Sequence, residues 1–104
     1  MEIRWTKTAD QSLDAIFSFY KELSEQAANR IILDIFTETG YLTVFQHIAP
    51  IEPFLSGKNE TFRALLVKKL FKIIYYVDEI ADEVVIVTIW DCRQNPEKLT
   101  NLVI

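Results

Sequence analysis

Few side chains in this 104-residue chain can do chemistry, and they are unevenly placed. From position 56 to 77 stand Lys58, Arg63, Lys68, Lys69 and Lys72, with Glu60 the only acid, a local charge of +4. The rest of the chain holds six basic and fourteen acidic residues, a balance of −8, so the whole carries −4. A basic segment in an acidic protein suits an anion such as nucleic acid. It suits equally a hairpin whose lysines face solvent and blunt a sheet edge. Later comes Asp91-Cys92-Arg93. An adjacent arginine would lower the pKa of Cys92, but a nucleophilic thiol also wants a histidine partner, and none is apparent. The single histidine, His47, falls in an irregular region away from the expected strands, where a surface role is the simpler reading. One cysteine, one histidine and scattered carboxylates give no metal-ligand spacing. The two glycines, Gly40 and Gly57, make no phosphate loop, so neither a metal nor a cofactor is expected.

Composition narrows the setting for these residues. Half the chain is hydrophobic and thirteen residues are aromatic, which excludes disorder. One cysteine excludes a disulfide scaffold. No apolar run approaches the roughly 18 residues of a membrane span, and the first residues lack the apolar stretch of a secretory signal. The expectation is a single cytoplasmic domain spanning residues 1–104, without a membrane role. A positive mean hydropathy in so short a chain leaves apolar surface that a partner would cover.

The elements that must position the reactive groups follow from periodicity. Residues 2–6 alternate as a short strand does. Thr8 and Gln11 stand at capping-box spacing, so Thr8 is the expected N-cap of a helix with Ala9, Leu13, Ile16, Phe17, Tyr20 and Leu23 on one face. Ser24 caps a second helix carrying Ala28, Ile31, Ile32, Ile35 and Phe36, with Gly40 expected just past its end. With about one residue between them, the two helices form an antiparallel hairpin. Residues 41–45 extend as a helical turn, Pro50 and Pro53 break the chain, and residues 56–59 loop. The period then changes to two. Strands are expected at 61–67, 70–77 and 84–90, with Lys68-Lys69 a tight turn lacking the favoured glycine. The last strand is apolar on both faces and so central. Asn95-Pro96 opens a short terminal helix. The fold class is α+β: an N-terminal strand and αα-hairpin packed on an antiparallel β-sheet, in the order β-α-α-β-β-β.

Within the second hairpin strand, Phe71, Ile73, Tyr75 and Val77 share the face that packs on the helices. Leu70, Lys72, Ile74 and Tyr76 share the other. A sheet with helices on one side leaves its far side open. Lys72 and Tyr76 are therefore expected on an exposed binding surface, with Arg63 of the neighbouring strand able to join them and Lys68 and Lys69 at its rim.

Three stretches, in order, resemble the RelE/ParE superfamily of toxins from type II toxin–antitoxin systems, a group that includes plasmid stabilisation proteins. They are Trp5-Thr6-Lys7-Thr8-Ala9 with Leu13, Ile16 and Tyr20; Arg63-Ala64-Leu65 with Leu70-Phe71-Lys72-Ile73-Ile74-Tyr75; and Val85 through Pro96, with its closing Arg93-x-x-Pro96. The resemblance covers nearly the whole chain and implies the same element order. It implies a growth-inhibiting toxin neutralised by a cognate antitoxin, which wraps an extended or helical segment around the toxin. Toxin–antitoxin hetero-oligomers or a homo-oligomer are the assemblies expected.

Two activities share this fold, and fold does not choose between them. RelE-like members cut mRNA on the ribosome, without a metal, through attack of a ribose 2′-hydroxyl on the adjacent phosphate. Arg63 and Arg93 match that cationic site, Lys72 could supplement it, and Asp91 falls where some members have histidine. The family's nucleases commonly carry a tyrosine or histidine near the C-terminus. Here the residues after Arg93 contain neither. A ribosome-directed nuclease also tends to be basic, and this chain is acidic. ParE-like members lack the nuclease residues and poison DNA gyrase through protein contacts. The residues favour that branch, with the mRNA endonuclease as the alternative and a non-toxic interaction module as a third reading.

Overall fold

The computed structural model describes residues 1–102, so the last two positions of the expected 1–104 domain lie outside the described residues. Strand β1 (Glu2–Trp5) leads into helices α1 (Lys7–Leu23) and α2 (Glu25–Tyr41). A 3-10 turn at Pro53–Leu55 precedes strands β2 (Arg63–Val67), β3 (Phe71–Asp78) and β4 (Glu83–Asp91), and helix α3 (Glu97–Leu102) follows.

The N-cap of α1 is Thr6, not Thr8. Thr6 has extended backbone and its Oγ1 accepts from the Ala9 amide at 3.1 Å. Its hydroxyl also donates to the Val87 carbonyl at 3.0 Å, so one side chain fixes both the helix start and its docking on β4. Both threonines are followed by helix-forming residues. The end of β1 at Trp5 decides between them, because the first non-strand residue takes the cap. Ser24 caps α2 as expected, accepting from Ala27 at 3.2 Å. Gly40 is not a left-handed residue past the helix end but lies inside its last turn. Hydrogen-bonded turns then carry the chain to Phe45, whose amide reaches the Tyr41 carbonyl.

The sheet order is β1-β4-β3-β2. The three C-terminal strands pair antiparallel, as the periodicity predicts. β1 does more than pack on the sheet: it joins it, parallel to β4, with Ile3 beside Val84. Alternation alone gives no partner for a four-residue strand. The structure assigns it to the one strand apolar enough to be buried on both sides. The Lys68-Lys69 turn does form without glycine, with φ of 55° and 58°. Holding two lysines in the left-handed region costs on the order of 1–2 kcal/mol each, offset by the ladder the turn closes.

The face bearing Phe71, Ile73 and Tyr75 meets Ile31 and Ile35 of α2 and Ile16 of α1 in the main core. The opposite face is not open. Leu55 of the 3-10 turn, Phe62 and Leu99 of α3 settle on Ala64, Ile74 and Trp90 to make a second, smaller core. The irregular segment and the tail carry just enough apolar residues to close that side, and their lack of periodicity hid it.

A double comparison tests the cap. Thr6→Ala should lower stability by about 1–2 kcal/mol, since a cap and a tertiary hydrogen bond both vanish. Thr8→Ala should stay within about 0.5 kcal/mol of the parent in urea denaturation.

Candidate functional site

The structure separates the cationic side chains that sequence reasoning hoped to gather. Arg63 pairs with Tyr75, and so shares its face of the sheet. Its Nη1 donates to the Ala49 carbonyl at 2.8 Å. Lys72 points to the opposite face. Its Nζ lies 3.0 and 3.1 Å from the two carboxylate oxygens of Glu52, which is 2% exposed. Arg93 lies beyond the other end of β4. The Arg63–Tyr75 row and the Phe71–Asp91 row are four residue steps apart along β3, roughly 13 Å at the usual rise. Arg63, Lys72 and Arg93 therefore share no common cleft.

The surface expected to hold Lys72, Tyr76 and Arg63 together does not form. Tyr76 is half-buried, its ring edge-on to Phe62 at 5.5 Å. Lys68 reaches back to Asp34 of α2 at 2.7 Å. Lys69 sits exposed at the hairpin tip, without an ion-pair or hydrogen-bond partner among the described residues. The +4 segment is thus partly neutralised by acids from outside it, Asp34 and Glu52. Spacing could not show this, because both acids come from earlier in the chain.

His47 does not stand apart from the strands. It lines a cavity of about 220 Å³ with Thr61, Arg63, Val77 and Glu79, its Nε2 4.0 Å from Glu79. Cys92 runs opposite to the sequence argument: desolvation pushes its thiol up, and Lys72 only partly offsets this. It is not an activated nucleophile.

Asp91 and Arg93 do come together. The guanidinium donates from Nε at 3.0 Å and from Nη2 at 2.6 Å to the two carboxylate oxygens. The Arg93 amide also meets Asp91 Oδ1, at 2.9 Å. The side-chain hydrogen bonds to Arg93 hold the Asp91 carboxyl below its ordinary range against the opposing effect of burial, and they raise the guanidinium in turn. A carboxylate so held is a poor proton acceptor. Arg93 also donates to the Tyr20 hydroxyl at 3.2 Å and lies over the Phe19 ring at 5.9 Å.

These residues wall a groove of about 510 Å³ between α1 and the end of β4. Its floor includes Phe71 and Ile89, its α1 side Ala15, Phe19 and Tyr20, and Lys98 of α3 stands at its rim. β1 ends opposite Ile86, so the rest of β4 has no neighbouring strand on that side. Beyond the Thr6 hydroxyl at Val87, Ser12 of α1 reaches this edge, its Oγ accepting from the Ile89 amide at 2.9 Å. The arrangement is a partly apolar trough beside a half-open strand edge, with two cations on its border. It can bind an extended chain segment. Phe19 and Lys98 were missed in the sequence. Phe19 falls out of phase with the buried face of α1 and is 55% exposed, and that misplaced aromatic was the available signal.

Comparison with known proteins agrees with this geometry. The family model described as "ParE toxin of type II toxin-antitoxin system, parDE" matches residues 3–96. Eight solved chains are similar. One comes from the "Chromosomal ParDE TA system from P. aeruginosa": it is 25% identical, with 88% of this chain and 95% of that chain covered and a TM-score of 0.71. No curated protein matches.

Two variants test the electrostatics. Lys72→Met strands a buried carboxylate and should cost about 3–5 kcal/mol. Glu52→Gln leaves a lysine that can reach water and should cost only about 1–2 kcal/mol by urea denaturation. Asp91 has a folded pKa below its unfolded one, so its contribution is present above the unfolded value of about 3.9 and fades as pH falls through the folded one. The stability gap between parent and Asp91→Asn should therefore be open at neutral pH and close below about pH 4 in thermal melts.

Proposed function

The chain belongs to the ParE toxin family of type II toxin–antitoxin systems, and on that premise we propose that it inhibits growth by acting on DNA gyrase in the cytoplasm. The observation that carries this reading is the dispersal of its cations. In-line cleavage of RNA needs cations converging on one phosphate, with a proton acceptor and donor beside it. Here Arg63 is bound to a backbone carbonyl, Lys72 to Glu52 and Arg93 to Asp91, on separate parts of the sheet. The net charge of −4 also opposes binding to a polyanion such as the ribosome. Recognition of a protein target tolerates both features.

Silencing by the cognate antitoxin is the second part of the proposal. The trough between α1 and β4 supports it. An extended antitoxin segment would add beside the second half of β4, place apolar side chains on Phe19, Phe71 and Ile89, and meet Arg93 and Lys98 with acidic residues. Among the described residues no helix is long and apolar enough to cross a membrane, consistent with a cytoplasmic target.

The test reads three outputs after induction of this protein alone. Growth should stop, plasmid supercoiling should fall, and cellular mRNA should remain intact. Normal supercoiling by purified gyrase at toxin excess would overturn the gyrase reading. Cleavage of translated mRNA that Arg63→Ala with Arg93→Ala abolishes would establish the endonuclease instead. Growth unaffected by induction would leave a non-toxic interaction module.

A further inference from the structure

The cavity that His47 shares with Arg63 has no part in the trough beside β4. Its walls follow from strand register. Tyr75, Val77 and Glu79 alternate onto one face of β3, and Arg63 of β2 sits opposite Tyr75. Continued by two residues, that register sets Thr61 opposite Val77. The chain before the 3-10 turn covers this end of the face. The Tyr75 hydroxyl donates to the Gln46 carbonyl at 2.8 Å, and Arg63 Nη1 to the Ala49 carbonyl at 2.8 Å. Two hydrogen bonds from the sheet thus pin both ends of the short segment that carries His47. The cavity is therefore formed before anything enters it, which spares a ligand the cost of ordering it.

The charges in this space are not matched to each other. Arg63 is half-buried, yet no carboxylate lies within ion-pair distance of it among the described residues. A guanidinium has five N–H donors, and the bond to Ala49 uses one. Glu79 lines the same cavity, but its Oε1 is turned to His47 Nε2 at 4.0 Å. A guanidinium and a carboxylate therefore face one space without meeting across it. Such a space disfavours a bare phosphate or carboxylate, because Glu79 repels what Arg63 attracts. It favours a ligand with hydrogen-bond acceptors along one edge and donors along another. The volume of about 220 Å³ is below the roughly 300–1,000 Å³ of sites for drug-sized ligands, so the occupant is a single small ring system. His47 and Val77 supply a flat ring and an apolar surface, which suit a planar one.

We propose that this cavity binds the guanine base of a nucleoside. Guanine carries its N7 and O6 acceptors on one edge, and the planar fork of Arg63 matches that pair. The neighbouring edge carries N1–H and the N2 amine, two donors for the two carboxylate oxygens of Glu79. Thr61 adds a hydroxyl able to donate or accept, and the His47 ring stacks on the base. Adenine inverts the pattern, with an amine donor in place of O6 and a bare N1 acceptor toward Glu79. A base read by one cation and one carboxylate needs no convergence of cations on a phosphate. The inference therefore holds whichever cellular target the toxin has.

Isothermal titration calorimetry of the full chain with guanosine provides the test. Guanosine should bind saturably below millimolar concentration, and adenosine at least tenfold more weakly. Inosine, which lacks only the N2 amine, should fall between them. The Glu79 side chain is 72% exposed, so Glu79→Gln should melt with the parent yet lose at least tenfold in guanosine affinity. Arg63→Lys keeps the charge without the fork and should lose as much, with its fold checked by circular dichroism. His47→Ala should cost about tenfold and His47→Phe should restore binding, since either ring can stack. Absence of saturable guanosine binding would overturn the proposal. So would equal affinity for guanosine and adenosine, or guanosine binding indifferent to Glu79→Gln. Displacement of guanosine by inorganic phosphate would overturn it too, by marking a simple anion site.

Discussion

Everything in this fold hangs on β4 being apolar on both faces and paired on both sides. It is the only strand with β1 on one edge and β3 on the other. It supplies Val84, Ile86 and Ile89 to the main core and Trp90 to the second. Ile86 and Ile89 are three residues apart, which in a regular strand would place them on opposite faces. The ladder to β3 slips between Ile74 and Tyr75, so that Tyr75 pairs with Ile86 and Ile74 with Thr88. The extra residue, Val87, resets the alternation. Without it Ile89 and Trp90 would exchange sides, and both cores would lose their anchor. The same irregularity presents the Val87 carbonyl to the Thr6 hydroxyl, so the bulge also fixes where α1 begins.

The site follows from how β4 is flanked. β1 is too short to cover it, so beyond Val87 that edge is met by the Ser12 hydroxyl of α1 rather than by a strand. A longer β1 would complete the sheet and erase the trough. A chain reversal at Arg93, held by Asp91, then brings the tail back toward the second core, where Leu99 is fully buried and Thr100 donates to the Phe54 carbonyl. The Asp91–Arg93 pair is thus a structural corner before it is anything else. Its two groups are oriented by each other rather than left free to meet a phosphate.

Periodicity made most of this legible. The helix hairpin, the three antiparallel strands, the centrality of β4 and the helix-facing set Phe71, Ile73 and Tyr75 are all consequences of spacing. Spacing failed where a residue's partner is distant in the chain. The buried Glu52 that neutralises Lys72, the α2 acid that takes Lys68 and the loop that brings His47 to Arg63 each come from another segment. The closed second face failed for the same reason: Leu55 and Leu99 belong to no pattern, and only the fold brings them together. The family resemblance correctly supplied element order and class. It did not supply side-chain juxtaposition: Arg63 and Arg93 match the nucleases' cationic positions, yet among the described residues they lie on separate parts of the sheet.

That separation shows how an acidic chain can carry a basic hairpin whose charges are partly paired within the fold. A field attractive to a polyanion requires cations that remain unpaired and adjacent. Here the two central lysines are each bound to a carboxylate, one of them almost fully buried. Their charge serves to tie α2 and the 3-10 turn to the sheet rather than to project into solvent. What the surface does project is apolar: Phe19 at the trough and the outer side of α2. Charge in this molecule is spent inward on architecture, and recognition is left to hydrophobic contact. A toxin that acts on a protein, as proposed above, has need of such contact, and none of unpaired, adjacent cations.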